Sequence, residues 1–152
     1  MKKTVPNAIY RHEFTVPKSA VDQNGHVNNV VYVQWMQDVA VLHSRDTGGT
    51  AAMHAAGATW VARSHWIEYL SPTFAGDEVV ALSWVVDFRR VRSMRRYRFF
   101  RKSDNVLLAK GETDWVSVDA DSGRPRKIPP QVAKLFTLVP ENEEPPTFTK
   151  DS

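Results

Sequence analysis

Cysteine is absent from this chain of 152 residues. That excludes a disulfide framework, a thiolate metal site and a cysteine nucleophile, and it fits a reducing compartment. No apolar run approaches the ~18 residues that a membrane span needs. The opening MKKTVPNAIYRHEF is basic but has no apolar stretch of the signal-peptide kind. A cytoplasmic protein is expected. HExxH, GxSxG and a Gly-rich phosphate loop are also missing, so nothing points to those chemistries. His12, His43, His54 and His65 show no paired ligand spacing, and no metal is expected.

What is present suits one domain. The chain is 42% hydrophobic and 11% aromatic, enough to bury roughly two-thirds of the surface its unfolded form exposes. One domain is expected over residues 1–139. The tail from Pro140, PENEEPPTFTKDS, has the composition of a disordered segment. Net charge is only +3, but RRVRSMRRYRFFRK (Arg89 to Lys102) holds eight of the 20 basic residues and no acid. Such an element suggests an anionic partner or a solvated strand pair. Nucleic acid is not expected: Tyr97, Phe99 and Phe100 interleave with arginines, but no recognised nucleic-acid motif accompanies them.

Hydrophobic patterning predicts a strand at AIYRHEFTV, then a helix in VVYVQWMQDVAVLHSRDTGG. Asn28 or Asn29 is its N-cap and Gly48-Gly49 its stop. Apolar residues occupy most of its circumference, which predicts that other structure wraps it. An Ala-rich connection follows. Four strands are then predicted at TWVARSHWIEYL, DEVVALSWVVDF, SMRRYRFFRK and VLLAKGETDWVSVD, with Gly111 a candidate bulge. PPQVAKLF reads as a short helix opened by proline. Short connections imply antiparallel neighbours. The result is an α+β fold in which a sheet curls around one helix and offers its edges to a second copy.

Asp22 to Asn29 reads DQNGHVNN. A carboxylate, several amides, a glycine and a histidine directly precede a buried helix. A capping loop has this composition, and so does the mouth of an active site. Three stretches, VDQNGHVNNVVYVQWMQDV, IEYLSPTFAGDEV and ETDWVSVDADSGRPRKIP, occur in this order. On them the chain resembles the hotdog-fold thioesterases, specifically the 4-hydroxybenzoyl-CoA thioesterase family, over roughly Tyr10 to Phe136.

The resemblance implies an antiparallel sheet of five or six strands wrapped around a central helix. It also implies a homodimer or homotetramer with sites between subunits, and hydrolysis of an acyl-CoA without metal or prosthetic group, CoA being part of the substrate. Thioester hydrolysis needs a carboxylate that attacks or activates water, donors for the oxyanion, and a pocket. Asp22 matches the family's catalytic acid, three residues before Gly25. Gly25 lets the backbone turn into the helix, and the N–H groups of Val27, Asn28 and Asn29 are expected to face outward as the oxyanion site. DQNGHVNN is also similar to the D-x-N-x-H-V-N-N of plant acyl-carrier-protein thioesterases. That similarity assigns Asn24 to orienting the carboxylate or water, and His26 to hydrogen bonding or proton relay. Benzoyl-CoA enzymes of bacteria carry an apolar residue where His26 stands. The plant enzymes' helper acid or cysteine has no counterpart at Ser71-Pro72-Thr73. Tyr32 is expected in the pocket or core.

CoA phosphates, or an acidic carrier protein, suit forked arginine donors. Two clusters qualify: Arg89, Arg90 and Arg92, with Arg95, Arg96 and Arg98 on the following strand; and Arg124, Arg126 and Lys127. Acyl-carrier-protein hydrolysis and non-catalytic acyl-CoA binding on the same fold are the alternatives.

Overall fold

The order of apolar segments sets the architecture seen in the computed structural model, which describes residues 8–148. The first seven residues, where no signal peptide is expected, lie outside the described residues, as do the last four of the expected tail. Strand β1 (Ile9–Thr15) leads through a single 3-10 turn to helix α1 (Asn29–Asp46). A short helix α2 (Gly49–Ala55) comes next, then β2 (Ala58–Tyr69), β3 (Glu78–Val85), β4 (Arg92–Arg101) and β5 (Leu107–Asp119), and finally α3 (Pro130–Ala133). The five strands form one antiparallel sheet in the order β1-β3-β4-β5-β2. This is the expected α+β hotdog architecture. The Ala-rich connection is helical because Gly48, at φ 86°, turns the chain and α2 starts at once.

Helix α1 lies on one face of the sheet. Tyr32, Trp35, Met36, Val39 and Ala40 are buried against Val79, Ala81, Tyr97, Phe99 and Leu108. Gly111 is regularly paired with Ile67 and Tyr97 rather than bulged. The irregularities fall instead between Ala62 and Ser64 and between Phe99 and Phe100. Glycine at 111 serves the helix: a Cβ there would lie 2.6 Å from Met36 Sδ and 3.3 Å from the Trp66 carbonyl.

Two expectations differ from the structure. The wrapping of α1 is one-sided within the chain, and Val30 is 73% exposed and Val41 58%. The strand β2, at the sheet edge, also leaves Val61 and Trp66 open. The tail, in turn, is packed as far as Phe148. Val139 and Phe148 are buried against Val80, Leu82, Trp84 and Phe100 on the sheet's outer face. Glu144 takes ion pairs from Arg96 and Arg98. Burying one such aromatic contributes about 1.5–3 kcal/mol, which adds to the Val139 contact and the Glu144 ion pairs in holding the segment against the sheet. It also explains why β3 is buried on both faces. Among the described residues no helix is long and apolar enough to cross a membrane.

Candidate active site

The DQNGHVNN segment folds as a tight turn delivering the chain to α1. Val21 bridges Val27, Asp22 N donates to His26 O at 2.8 Å, and Gly25 N donates to Asp22 O at 3.1 Å. Gly25 has φ 81° and open space where a Cβ would stand, so conformation rather than crowding calls for glycine. Asp22 is half-buried. Its Oδ1 accepts from Asn24 N at 2.9 Å, an Asx turn. Asn28 caps the helix, its Oδ1 accepting from Val30 N at 2.9 Å.

The three outward amides expected here reduce to one. Val27 N donates to Thr73 O and Asn28 N to Ala20 O, each at 2.8 Å. Those bonds tie the turn to its neighbours. Val31 N is taken by Asn28 O. Among the described amides from Val27 to Val31, the Asn29 N–H alone has no acceptor. It sits at the positive end of the α1 dipole, so an anion beside it gains both a donor and a favourable field.

Asn24 and His26 are exposed, and no hydrogen bond joins either side chain to the carboxylate of Asp22 among the described residues. The His26 ring instead meets Phe74 edge-on at 5.4 Å. Beneath the turn, Tyr32 is core: its Oη lies 2.5 Å from Thr73 Oγ1, and its ring packs on Trp35, Tyr69 and Phe99. Burial pushes its phenol up to about 12, against a smaller opposing effect of the Thr73 bond. Tyr69 Oη donates to the carbonyl of Asn29 at 3.0 Å. Tyr69, Thr73 and Phe74 are site neighbours that the motif does not indicate. Their signal in the sequence is the aromatic and hydroxyl content of YLSPTF beside a polar turn.

The basic residues divide by strand parity and by end. Thr15 pairs with Glu78 and Ile9 with Trp84, so the Asp22 turn lies at the start of β3 and the Arg89–Arg92 turn beyond its finish. Eight residues of β3 span about 26 Å at ~3.3 Å per residue. One chain therefore holds Asp22 and the expected phosphate-binding arginines at opposite ends of its sheet. At the far end the two predicted clusters meet, for Ile128 N donates to Arg90 O at 2.8 Å. Arg89 and Arg92 are engaged by Asp114, and Arg126 by Asp119 at 3.0 Å. Arg90, Arg124 and Lys127 are exposed. On β4, Arg96 and Arg98 face outward to Glu144, whereas Arg95 is buried on the inner face. It is no part of a solvated cluster.

Against known structures the architecture recurs. The DHNA-CoA thioesterase of Staphylococcus aureus superposes with a TM-score of 0.76 at 19% identity, covering 84% of this chain and 87% of that one. An acyl-ACP thioesterase from Bacteroides thetaiotaomicron gives 0.78 at 20% identity, covering 91% of this chain but 58% of that one. A Staphylococcus aureus protein solved in complex with CoA gives 0.75 at 17% identity, covering 88% and 85%. At these identities the likeness shows the fold. No curated protein sequence matches the chain. The model of the thioesterase-like superfamily matches residues 16–136, from the end of β1 to just past α3, and the chain belongs to that superfamily.

Proposed function

We propose that the protein is an acyl-CoA thioesterase, releasing a free acid and CoA, with Asp22 as general base or nucleophile. The observation that carries this reading is the pairing of a constrained carboxylate with an open helix N-terminus. Asp22 is held through one oxygen by the Asn24 amide, and its turn leads directly to the unmatched N–H of Asn29. A thioester carbonyl set between them meets an attacking group and a donor for the developing oxyanion. Asn24 and His26, exposed at the rim, orient water or relay a proton once substrate orders them.

The distance between the Asp22 turn and the basic end supports a homo-oligomer. A second copy laid antiparallel along the open strip of α1 and the β2 edge brings its Arg90, Arg124 and Lys127 toward the first copy's turn. There they meet the phosphates of CoA. The same three cations also suit an acidic carrier protein, and the fold shared with a protein named as an acyl-ACP thioesterase favours carrier-bound substrates as the second reading.

The test is thiol release from short, long and aryl acyl-CoAs and from acylated carrier protein, comparing wild type with Asp22→Asn. Asparagine retains the oxygen that accepts from Asn24 N, so stability should hold within about 0.5 kcal/mol. Turnover should fall by at least ~100-fold. Undiminished turnover moves the chemistry off Asp22. Absence of turnover by wild type on every substrate leaves an acyl-CoA binder on this fold.

A further inference from the structure

A cavity of about 250 Å³ lies at the opposite end of α1 from the Asp22 turn, between the helix, α2 and the sheet. Its rim is exposed at Thr50, His54 and Thr59. Its wall is largely apolar, with Met53, Val85, Phe88 and Phe136. Into this apolar setting the inner face of β4 places Arg95, which lines the cavity and is 5% exposed.

The guanidinium has little to balance it. Nη1 donates to His43 Nδ1 and to Ser83 Oγ, each at 2.9 Å. An arginine has no acceptor, so His43 presents a bare Nδ1 and carries its proton on Nε2. Both partners are then neutral. Among the described residues no carboxylate pairs with Arg95, and its Nε and Nη2 have no acceptor. Strand alternation accounts for this: Arg95 pairs in register with Thr113, while the neighbouring Asp114 points to the other face and engages Arg89 and Arg92. His43 lies in the last turn of α1, whose end carries about half a negative charge, an incomplete counterweight. Desolvation pushes the Arg95 pKa down, in keeping with a cation short of neutralisation. A buried charge without a partner is costly, and an anion in the cavity removes that cost.

We infer that this cavity is a binding site for a small organic carboxylate, its carboxyl group on Arg95 and its apolar body against the walls formed by α2, β3 and Phe136. Planar guanidinium forks match carboxylates, and the apolar walls favour a hydrocarbon body over a bare inorganic anion. The volume falls just under the roughly 300–1,000 Å³ of pockets for drug-sized ligands, which suits an aryl or short acyl acid. Within one chain the site lies at the other end of α1 from the Asp22 turn, and the binding of a free carboxylate there does not depend on the thioesterase reading.

The test is calorimetric titration of the full chain with benzoate and hexanoate, with benzyl alcohol, hexanol, chloride and phosphate as controls. Saturable binding of at least one carboxylate is expected, retained in Asp22→Asn and at least about tenfold weaker in Arg95→Met, the loss of a charge-assisted pair. The matching alcohol should bind at least about tenfold more weakly than its acid. No binding of either acid, equal binding of acid and alcohol, or binding of inorganic anions alone overturns the proposal. So does binding lost in Asp22→Asn but kept in Arg95→Met, which places the acid at the candidate active site. If Arg95→Met does not fold, Ala40→Leu fills the cavity and leaves the guanidinium in place. The same loss of affinity is then expected, and unchanged affinity overturns the site.

Discussion

At the start of α1, Asn24 and His26 stand in solvent and Asp22 is half-buried, its carboxylate joined among the described residues to one backbone amide. At the finish of α1, Arg95, His43 and Ser83 are all buried, and Arg95 is bonded to the other two. Exposed groups exchange water for a substrate or a partner chain at little cost, so their arrangement is free to change on binding. Buried groups have given up water already, and losing one partner leaves the other unsatisfied. The first end is therefore suited to chemistry on a molecule that comes and goes. The second holds a fixed charge whose setting is decided by the fold.

The sharpest way to break that contrast is to remove a carboxylate from the far end. Asp114 is 5% exposed at its side chain and receives Arg89 and Arg92, with Arg63 at 3.6 Å. Burial alone raises its carboxyl, but Arg92 and Arg89 outweigh it and hold the group below the usual aspartate range. Its stabilising effect is present above the unfolded pKa and is lost as pH falls through the depressed native value. Asp114→Ala should cost about 2–3 kcal/mol at neutral pH, less than the ~3–5 kcal/mol of a wholly buried pair because the arginines reach solvent. Urea denaturation at pH 7 and pH 3 checks it: the gap between variant and wild type should narrow in acid. A variant as stable as wild type at pH 7 would show that the far end is not rigidly held by its ion pairs.

Midway between the ends, packing rather than charge is tested. Gly111→Ala places a methyl group against Met36 Sδ and near the Trp66 carbonyl. The methionine can swing aside and the carbonyl cannot, so a loss of about 1–3 kcal/mol is expected, read as a lower denaturation midpoint with unchanged slope. An unaffected midpoint would mean that α1 has room to lift from the sheet, and that the two ends are less firmly joined than the core contacts indicate.

These particulars show what is legible in sequence. The strands and α1 follow from alternation and caps, and Asn28 takes the predicted capping role. Proximity in sequence groups Arg95 with Arg96 and Arg98, although its parity with Tyr97 and Phe99 already places it on the inner face. The tail looks disordered by composition, but its order depends on Glu144 finding two arginines and Phe148 finding Phe100. Those contacts join residues more than 40 positions apart, and composition does not register them. The turn's residue types suggest the candidate site. Which amides it leaves open does not follow from them, since Thr73 and Ala20 supply the acceptors from outside the motif.

The smallest effect belongs to His65, which is intermediate in burial as well as position. Its Nδ1 lies 2.9 Å from Thr113 Oγ1 and its Nε2 is 3.4 Å from Gln37 of α1. Among the described residues no charged side chain is hydrogen-bonded to it. Burial lowers its pKa, so below the unfolded value near 6.5 the unfolded chain binds more protons than the native one. The resulting penalty is absent above that pH and grows as pH falls toward the native pKa. The carboxylates held low by partners, Asp114 and Asp119 among them, lose their contribution only at more acidic pH, below the usual value of about 3.9. The interval from pH 7 to 5 therefore isolates the imidazole from them. His65→Gln, which retains hydrogen-bonding atoms without titrating, should flatten the fall in denaturation midpoint across that interval. An identical slope in variant and wild type would place the ring in water on the timescale of protonation, and His65 would then belong with the open end of the helix rather than the closed one.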